Sequence, residues 1–323
     1  MRLLITGGAG FIGTNCALHF LPLADKIFIL DSFNRPSSAK NADFLVKQSG
    51  KIIIAKGDVR DFAVVKKLAA KADVILHLAA QVAVTTSIKD PQADFETNTV
   101  GSFNVLDAVR QYNPKAIVLY ASTNKVYGSL ESVAVDRKKG VDETTPIDLY
   151  SPYGCSKGAA DLYFLDYHRT FGLKTMVFRQ SCIYGPHQYG VEDQGWLAYF
   201  VLQLLKERPI TIYGSGRQVR DLLYVDDLVK LYKLAVRKIE LVKGQVFNIG
   251  GGIANSLSIR SAIGILEKKL KVRADLKQGL KRLGDQDYFV SNNTKAKKSL
   301  GWAPETSIEE GLDRLIEWCR NQP

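Results

Sequence analysis

Tyr153 and Lys157 stand four residues apart in the stretch Tyr153-Gly154-Cys155-Ser156-Lys157. On a helix, residues at that spacing share one face. A free phenol ionises near pH ~10, so it is a poor base at neutral pH, and bringing it down by about three units takes roughly 4 kcal/mol of differential stabilisation. The lysine ammonium and one further cation in a dry cleft are the groups that could supply it. A second chemical candidate lies upstream, in Ser122-Thr123-Asn124-Lys125-Val126-Tyr127-Gly128. It follows an apolar run that reads as a strand, and the carboxyl end of a parallel strand is where a hydroxyl faces a cleft. Thr123 is placed to share a hydrogen bond with a substrate hydroxyl undergoing oxidation. The alternative for Ser122 and Thr123 is local bonding to the backbone of the turn.

The further cation is suggested by the opening of the chain. Gly7, Gly10 and Gly13 are spaced three apart, directly after Leu3-Leu4-Ile5-Thr6 and at the start of a helical pattern from Phe11. Gly7 permits a tight turn, Gly10 lets backbone approach a pyrophosphate, and Gly13 lets helix pack on sheet. The amides at the helix start, Phe11 and Ile12, face the anion. Asp31 ends the second apolar run, eighteen residues beyond Gly13. Its carboxylate can accept from the adenosine ribose hydroxyls and would repel a 2′-phosphate, which favours NAD over NADP. Arg35 nearby is read as an exposed loop arginine. Asp58-Val59 follows the third run, where an adenine pair would sit, although Asp58 could instead cap the next helix.

These groups need a frame. Leu3–Thr6, Ile27–Asp31, Ile52–Ala55, Val74–Leu78 and Ile117–Ala121 read as buried strands, and Phe11–Leu21, Phe62–Ala70 and Phe95–Arg110 as helices between them. A helix over Pro152–Phe171 and a strand over Lys174–Gln180 follow. Such alternation predicts an α/β fold, a Rossmann-type doubly wound parallel sheet with right-handed crossovers, carrying a smaller mixed α/β substrate-binding region. Residues 1–180 are expected to form the dinucleotide-binding domain with the Tyr/Lys pair. Residues 181–323 form the substrate region, with segments such as Gln245–Ile249 returning to the sheet.

The bulk properties exclude little that matters to this reading. The net charge is +11 over 323 residues, with seven basic and one acidic residue between Lys268 and Arg282. That favours anionic partners, but no basic motif interleaved with aromatics is seen, so nucleic acid is not expected. The four cysteines are scattered and lack metal-type pairing, so no metal is expected. No apolar run reaches the ~20 residues of a membrane span, and a cytoplasmic protein is expected.

Taken together, Gly7-x-x-Gly10-x-x-Gly13, Asp31, the Thr123 to Gly128 segment and Tyr153-x-x-x-Lys157 resemble the extended short-chain dehydrogenase/reductase family, most of all its nucleotide-sugar epimerases and dehydratases. The resemblance implies that Tyr153 is the general base, Lys157 its electrostatic partner and ribose ligand, and Thr123 the third member. It implies NAD as cofactor, held also by Asn34, Ser122 and the loop Leu78-Ala79-Ala80 that follows His77, with Asn98 bracing the catalytic strand. Dehydratases of this family carry two carboxyl residues after the threonine, where Asn124 and Lys125 stand here, so elimination is not expected. The segments Ser122–Gly128, Gln81–Ser87, Asp193–Trp196 and Arg282–Gln286 are similar to the CDP-paratose 2-epimerase branch. That branch implies epimerisation of a nucleotide-diphosphate sugar at C2 by transient oxidation, with Thr86, Asn124, Lys125, Ser181, Arg220 and Arg282 on the substrate. Arg220 and Arg282 would meet the diphosphate, unless Arg220 pairs structurally with Asp226 or Asp227. The alternatives are a UDP-sugar 4-epimerase or a nucleotide-sugar dehydrogenase or reductase and, more remotely, a non-catalytic RNA-binding protein of the same fold. The family commonly pairs as a homodimer or homotetramer.

Overall fold

The computed structural model describes residues 1–322. Six strands, β1 (Arg2–Thr6), β2 (Lys26–Asp31), β3 (Ile52–Lys56), β4 (Val74–His77), β5 (Ile117–Thr123) and β6 (Lys174–Gln180), join the later strand Val246–Ile249 in one seven-stranded parallel sheet. The spatial order is Val246–Ile249, β6, β5, β4, β1, β2, β3. The doubly wound α/β fold expected from the alternation is borne out. The strands are apolar runs because both faces are covered, and all four residues of β4 are buried.

Seven helices flank or follow these strands: α1 (Phe11–Phe20), α2 (Pro36–Val46), α3 (Phe62–Ala69), α4 (Val84–Lys89), α5 (Pro91–Phe95), α6 (Gly101–Tyr112) and α7 (Ser151–Phe171). Two differ from the sequence reading in an instructive way. α2 begins with Pro36 at its first turn but carries no apolar stripe in its polar first half, so periodicity does not reveal it. The helix read from Phe95 to Arg110 is α5 and α6 joined by a π-helical turn over Glu96–Val100. That wider turn contains Asn98, whose backbone carbonyl accepts from the Ser102 hydroxyl at 2.5 Å.

The chain reverses its direction of winding between β1 and β4, and the crevice at their carboxyl ends is the ligand position of such sheets. Buried polar groups pin it. Thr6 Oγ1 lies 2.7 Å from His77 Nδ1, and His77 Nε2 lies 2.9 Å from Ser102 Oγ. Burial, assisted by the charge of Lys157, pushes the His77 imidazole down to about 3, so it is a neutral bridge and not an acid.

Beyond β6 the elements alternate between the two parts. α8 (Trp196–Leu205) lies in the smaller part, whereas α9 (Val225–Arg237) packs on α1 and belongs to the main core. A small sheet of Ser256–Ser258, Val219–Tyr224 and Tyr288–Phe289, with Cys182–Tyr184 alongside, and a two-stranded ribbon of Ile210–Tyr213 and Leu276–Gly279 form the smaller part. α8 and the helices Ile259–Leu270 and Ile308–Arg320 cover them in a second core.

One buried ion pair ties the sheet to α7. Arg179 on β6 donates through Nε and Nη2 to the Asp161 carboxylate at 2.9 and 3.0 Å, and neither side chain reaches solvent. Ser122 Oγ donates to the same carboxylate at 2.7 Å. Arg179 Nη1 also donates to the Tyr127 hydroxyl at 2.9 Å, which donates to Asn248 Oδ1 at 2.7 Å. Removing one partner leaves a buried, uncompensated charge. Asp161→Ala is therefore expected to lower stability by about 3–5 kcal/mol, read as a fall in the urea midpoint, and adding Arg179→Met should recover part of that loss.

Candidate active site

A cleft of about 810 Å³ runs from the glycine-rich turn, past the ends of β4 and β5, to the elements of the smaller part. Its floor at one end is the β1–α1 turn. Gly7 has φ +65°, and a Cβ there would come within 2.8 Å of the Ala79 backbone. A Cβ on Gly13 would come within 2.5 Å of Gly8 Cα. α1 starts at Gly10 with no capping side chain and no acidic residue in its first turn. The first-turn amides therefore lack helical acceptors and present partial positive charge. Gly7, Gly10, Phe11, Ile12 and Gly13 all line the cleft. The turn has the shape and the donor chemistry for a dinucleotide pyrophosphate.

At the adenosine end, Asp31 is fixed by two backbone donors, Ala9 N–H at 3.1 Å and Phe33 N–H at 2.9 Å, one on each carboxylate oxygen. Burial pushes its carboxyl above the ordinary range, while these bonds and Arg35 pull it back. The remaining lone pairs suit ribose hydroxyls. Asn34, Asp58, Val59, Leu78, Ala79 and Ala80 are on the same wall. Asp58 does not cap α3. That role belongs to Asp61, which accepts from Ala63 N–H and Val64 N–H. Asp58 is instead held by Arg60, through guanidinium bonds at 2.9 and 3.1 Å and a backbone bond at 2.9 Å. Asn98 departs from expectation. It lies behind the wall, 1% exposed, and braces the loop after β4 and the helix α7 rather than β5. Its Oδ1 accepts from Gln81 N–H at 2.9 Å, and its Nδ2 donates to Gln81 O and Ser156 Oγ, both at 3.0 Å.

Thr123, Tyr153 and Lys157 converge in the middle of the cleft, next to Ser122. Thr123 does two things at once. Its Oγ1 accepts from Lys125 N–H at 3.2 Å, which is the local turn bond, and its hydroxyl stands beside the Tyr153 phenol. Ser122 is not turn-bonded, because its hydroxyl goes to Asp161. Tyr153 is anchored through its backbone, whose N–H donates to Ser87 Oγ of α4 at 3.2 Å.

The electrostatics differ from the sequence reading. In the protein alone the phenol is not ionised by its lysine. Burial pushes Tyr153 up to about 12, opposed by the Thr123 hydroxyl and the charge of Arg35 and reinforced by Asp94. Lys157 turns to the sheet, donating to Ala121 O at 2.6 Å with its Nζ 4.2 Å from the Tyr120 ring centroid. Burial pushes it down to about 7, while Asp161 and Asp94 hold it up. Desolvation acts on both groups against their charged forms. Arg35, although largely exposed, is part of the cleft wall.

The far end of the cleft, where a substrate is expected, is lined by Thr86, Asn124, Lys125, Ser181, Arg220 and Arg282. Most of these polar groups already have partners. Asn124 exchanges amide bonds with Gln286, donating to its Oε1 at 2.9 Å and accepting from its Nε2 at 3.3 Å. Lys125 donates to Gly284 O at 3.0 Å and lies 3.7 Å from Asp285; burial, with the charge of Arg220, pushes it down to about 8. Ser181 donates to Asp221. Arg220 does not pair with Asp226 or Asp227. Its Nη2 donates to Asp285 at 2.6 Å and to Gln286 O at 2.5 Å. Asp226 faces His19 and Arg314, and Asp227 accepts from the amides of Glu305 and Thr306. Arg282 binds Glu192 O and Asp193, with its guanidinium 3.9 Å from the Tyr213 ring centroid. Sequence reasoning missed Ser87, Asp94, Ser156 and Asp161, which hold the catalytic turn of α7. The spacing of Asp94 and Asn98, four apart on one helix, is a signal that could have found two of the groups involved.

Among known proteins, a family model described as GDP-mannose 4,6 dehydratase matches residues 4–315. The chain is 41% identical to CDP-paratose 2-epimerase from Salmonella typhi, over 98% of this chain and 99% of that one. The structure of UDP-glucose 4-epimerase from Thermotoga maritima, solved with UDP-glucose, is similar with a TM-score of 0.88 and 30% identity, covering 99% of both chains. The dTDP-glucose 4,6-dehydratase of Streptomyces venezuelae, solved with NAD bound, has a TM-score of 0.87 and 30% identity over 100% of this chain and 98% of that one. By fold, cleft and sequence alike, the chain belongs to the GDP-mannose 4,6 dehydratase family of extended short-chain dehydrogenases/reductases.

Proposed function

We propose that this protein is an NAD-dependent epimerase of nucleotide-diphosphate sugars, inverting one ring carbon, C2 of a CDP-sugar, by transient oxidation. The observation that carries the reading is the convergence of Thr123, Tyr153 and Lys157 in a cleft that begins at the glycine turn, with no carboxylate at the two positions after Thr123. Water elimination needs an acid and a base at the sugar. Asn124 is locked to Gln286, and Lys125 is a cation held by Gly284 O. The chemistry therefore stops at oxidation and reduction. The choice of C2 and of a CDP-sugar is supported by the likeness to CDP-paratose 2-epimerase. The similar 4-epimerase structure supports C4 of a UDP-sugar as the second reading.

The residues present fit NAD. The bare turn at Gly7 and Gly10 and the open amides of α1 would hold its pyrophosphate, and Asp31 its adenosine ribose. NAD bound there would supply a reversible hydride acceptor and the positive charge of its oxidised ring. This chain's residues then manage the proton. Tyr153 takes it from the sugar hydroxyl and later returns it. Thr123 fixes the hydroxyl between itself and the phenol. Lys157, in its cationic form, favours the phenolate and closes the cleft floor. Arg220 and Arg282 hold the diphosphate, with Arg220 exchanging Asp285 for it, so that the sugar can turn its other face while the nucleotide stays fixed.

The cleft is lined largely by apolar groups and by polar groups that are already partnered. A sugar ring is therefore oriented by few bonds, which suits an intermediate that must rotate. A homodimer is also inferred. α6 and α7 expose Phe103, Leu162, Tyr163 and Phe171, each 41–47% exposed, and the three aromatic rings are joined through Tyr167 by edge-to-face contacts. Phe103 meets Tyr163 edge to face at 6.2 Å between ring centroids. A contiguous aromatic patch of this kind marks an association surface, and a two-fold pairing of α6 and α7 covers it in both copies.

Three outcomes test these statements. Purified protein, given CDP-paratose or UDP-glucose without added cofactor, is expected to form the C2 epimer of the former with no build-up of reduced-nicotinamide absorbance; steady accumulation of that signal would mean net oxidation instead. Tyr153→Phe should lower turnover by about 10²–10⁴-fold while bound NAD, released and weighed by mass spectrometry, is retained. Near-normal turnover of this variant removes Tyr153 from the chemistry. Sedimentation should give a dimer, and Phe103→Glu with Leu162→Glu a folded monomer; an unchanged mass for that variant places the interface elsewhere.

A further inference from the structure

Asp94 is fully buried on α5, behind the catalytic turn, and the steps above do not use it. Three donors converge on its carboxylate. Gln81 Nε2 and Asn98 Nδ2 reach Oδ1 at 3.0 and 3.1 Å, and Ser156 Oγ reaches Oδ2 at 2.5 Å. Ser156 lies between Tyr153 and Lys157 on α7, and its backbone carbonyl is held by Thr99 Oγ1 at 3.1 Å. A carboxyl surrounded only by donors is used fully when ionised, since its proton would have no acceptor. All three partners are neutral.

The other buried carboxylate near Lys157 is in a different position. Asp161 is bound in a fork by Arg179, so its charge is already matched. The charged and titratable groups facing Lys157 are Tyr153 and Asp161 from α7, Tyr120 from β5, His77 from β4, Asp94 from α5 and, through Asp161, Arg179 from β6. His77 is neutral, and the Tyr120 phenol is held above its ordinary range, chiefly by burial. Asp161 acts more strongly on Lys157 but is shared with Arg179, whereas Asp94, raised by burial and pulled back by Ser156, Lys157 and Gln81, has no cation among its hydrogen-bond partners.

We propose that Asp94 is a positioning residue: its buried carboxylate holds the Ser156 turn of α7 and, as an anion without a cationic hydrogen-bond partner, adds to Asp161 in keeping the buried Lys157 cationic. The claim rests on reading Lys157 as a member of the catalytic set. Burial drives the lysine towards neutrality, and Asp161 first and then Asp94 oppose it. The same charge raises the Tyr153 phenol, so Asp94 serves the lysine at a cost to the base, and the cost is met when a cation stands beside the phenol.

The experiment follows the Lys157 ammonium directly, by NMR of isotope-labelled lysine in the full chain, with the signal assigned through Lys157→Met. In the wild type it is expected to titrate near 7. In Asp94→Asn and in Asp94→Ser, where a water can meet the same donors, the titration should move down by roughly one unit, and Asp94→Glu should stay near the wild type. Turnover of the two neutral variants should fall at neutral pH and recover on acidification. An unchanged Lys157 titration in a folded neutral variant overturns the proposal, as does failure of both neutral variants to fold, which would make the carboxylate a folding requirement. A shifted titration without any sugar turnover supports the role of Asp94 and counts against the epimerase reading alone.

Discussion

The buried pair between Asp161 and Arg179 is the contact on which the site's geometry depends. It joins the catalytic helix to β6, and the Asp161 carboxylate also receives Ser122, the residue before Thr123 at the end of β5. Thr123, Tyr153 and Lys157, the three side chains proposed for catalysis, come from two elements, β5 and α7. Without a directional lock, helix and sheet could slide along their apolar faces, since packing of apolar surface is non-directional. A forked guanidinium–carboxylate pair fixes both distance and angle. The pair extends through Tyr127 to Asn248 on the strand Val246–Ile249, so the last strand of the sheet is registered by the same charges.

Behind this lock Tyr153 and Lys157 are buried, and burial sets their electrostatics. Burial raises the phenol of Tyr153 to about 12 and lowers the ammonium of Lys157 to about 7. Burial thus favours a neutral pair, which is the inactive combination for proton abstraction. The ionised pair needs added positive charge near the phenol, and a dinucleotide seated on the glycine turn, which lines the same cleft as Tyr153, would supply it from its cationic ring. Base strength coupled to cofactor occupancy in this way would keep the phenol protonated in protein that holds no oxidant.

The far end of the cleft follows a different logic. Its cations are held by internal anions, Arg220 and Lys125 by Asp285, and Arg282 by Asp193. A diphosphate entering the cleft has to displace carboxylates rather than fill an open positive field. Such exchange makes binding depend on the geometry of the anion, because only a group that meets the fork of Arg220 repays its loss of Asp285. It also explains why a chain of net charge +11 need not present an indiscriminate phosphate trap at its active site.

The sheet strands, the glycine turn, Asp31 and the spacing of Tyr153 and Lys157 were legible in the sequence, because each rests on local rules: buried strands are uniformly apolar, a tight turn at positive φ demands glycine, and a helix repeats every 3.6 residues. Even the family could be named from motifs of this kind. What the sequence alone could not settle was long-range and electrostatic. That Asp61 rather than Asp58 caps α3, that Arg220 answers Asp285 and not its near neighbours Asp226 and Asp227, that Asn98 serves Gln81 and Ser156 from behind the wall, and that Lys157 faces the sheet are decided by which groups tertiary packing buries together. Burial and pairing are properties of the assembled fold, and the charge state of a side chain depends on both. The sequence therefore determined which chemical groups the site contains, and only the folded chain decided which of them are charged and to what they are bound.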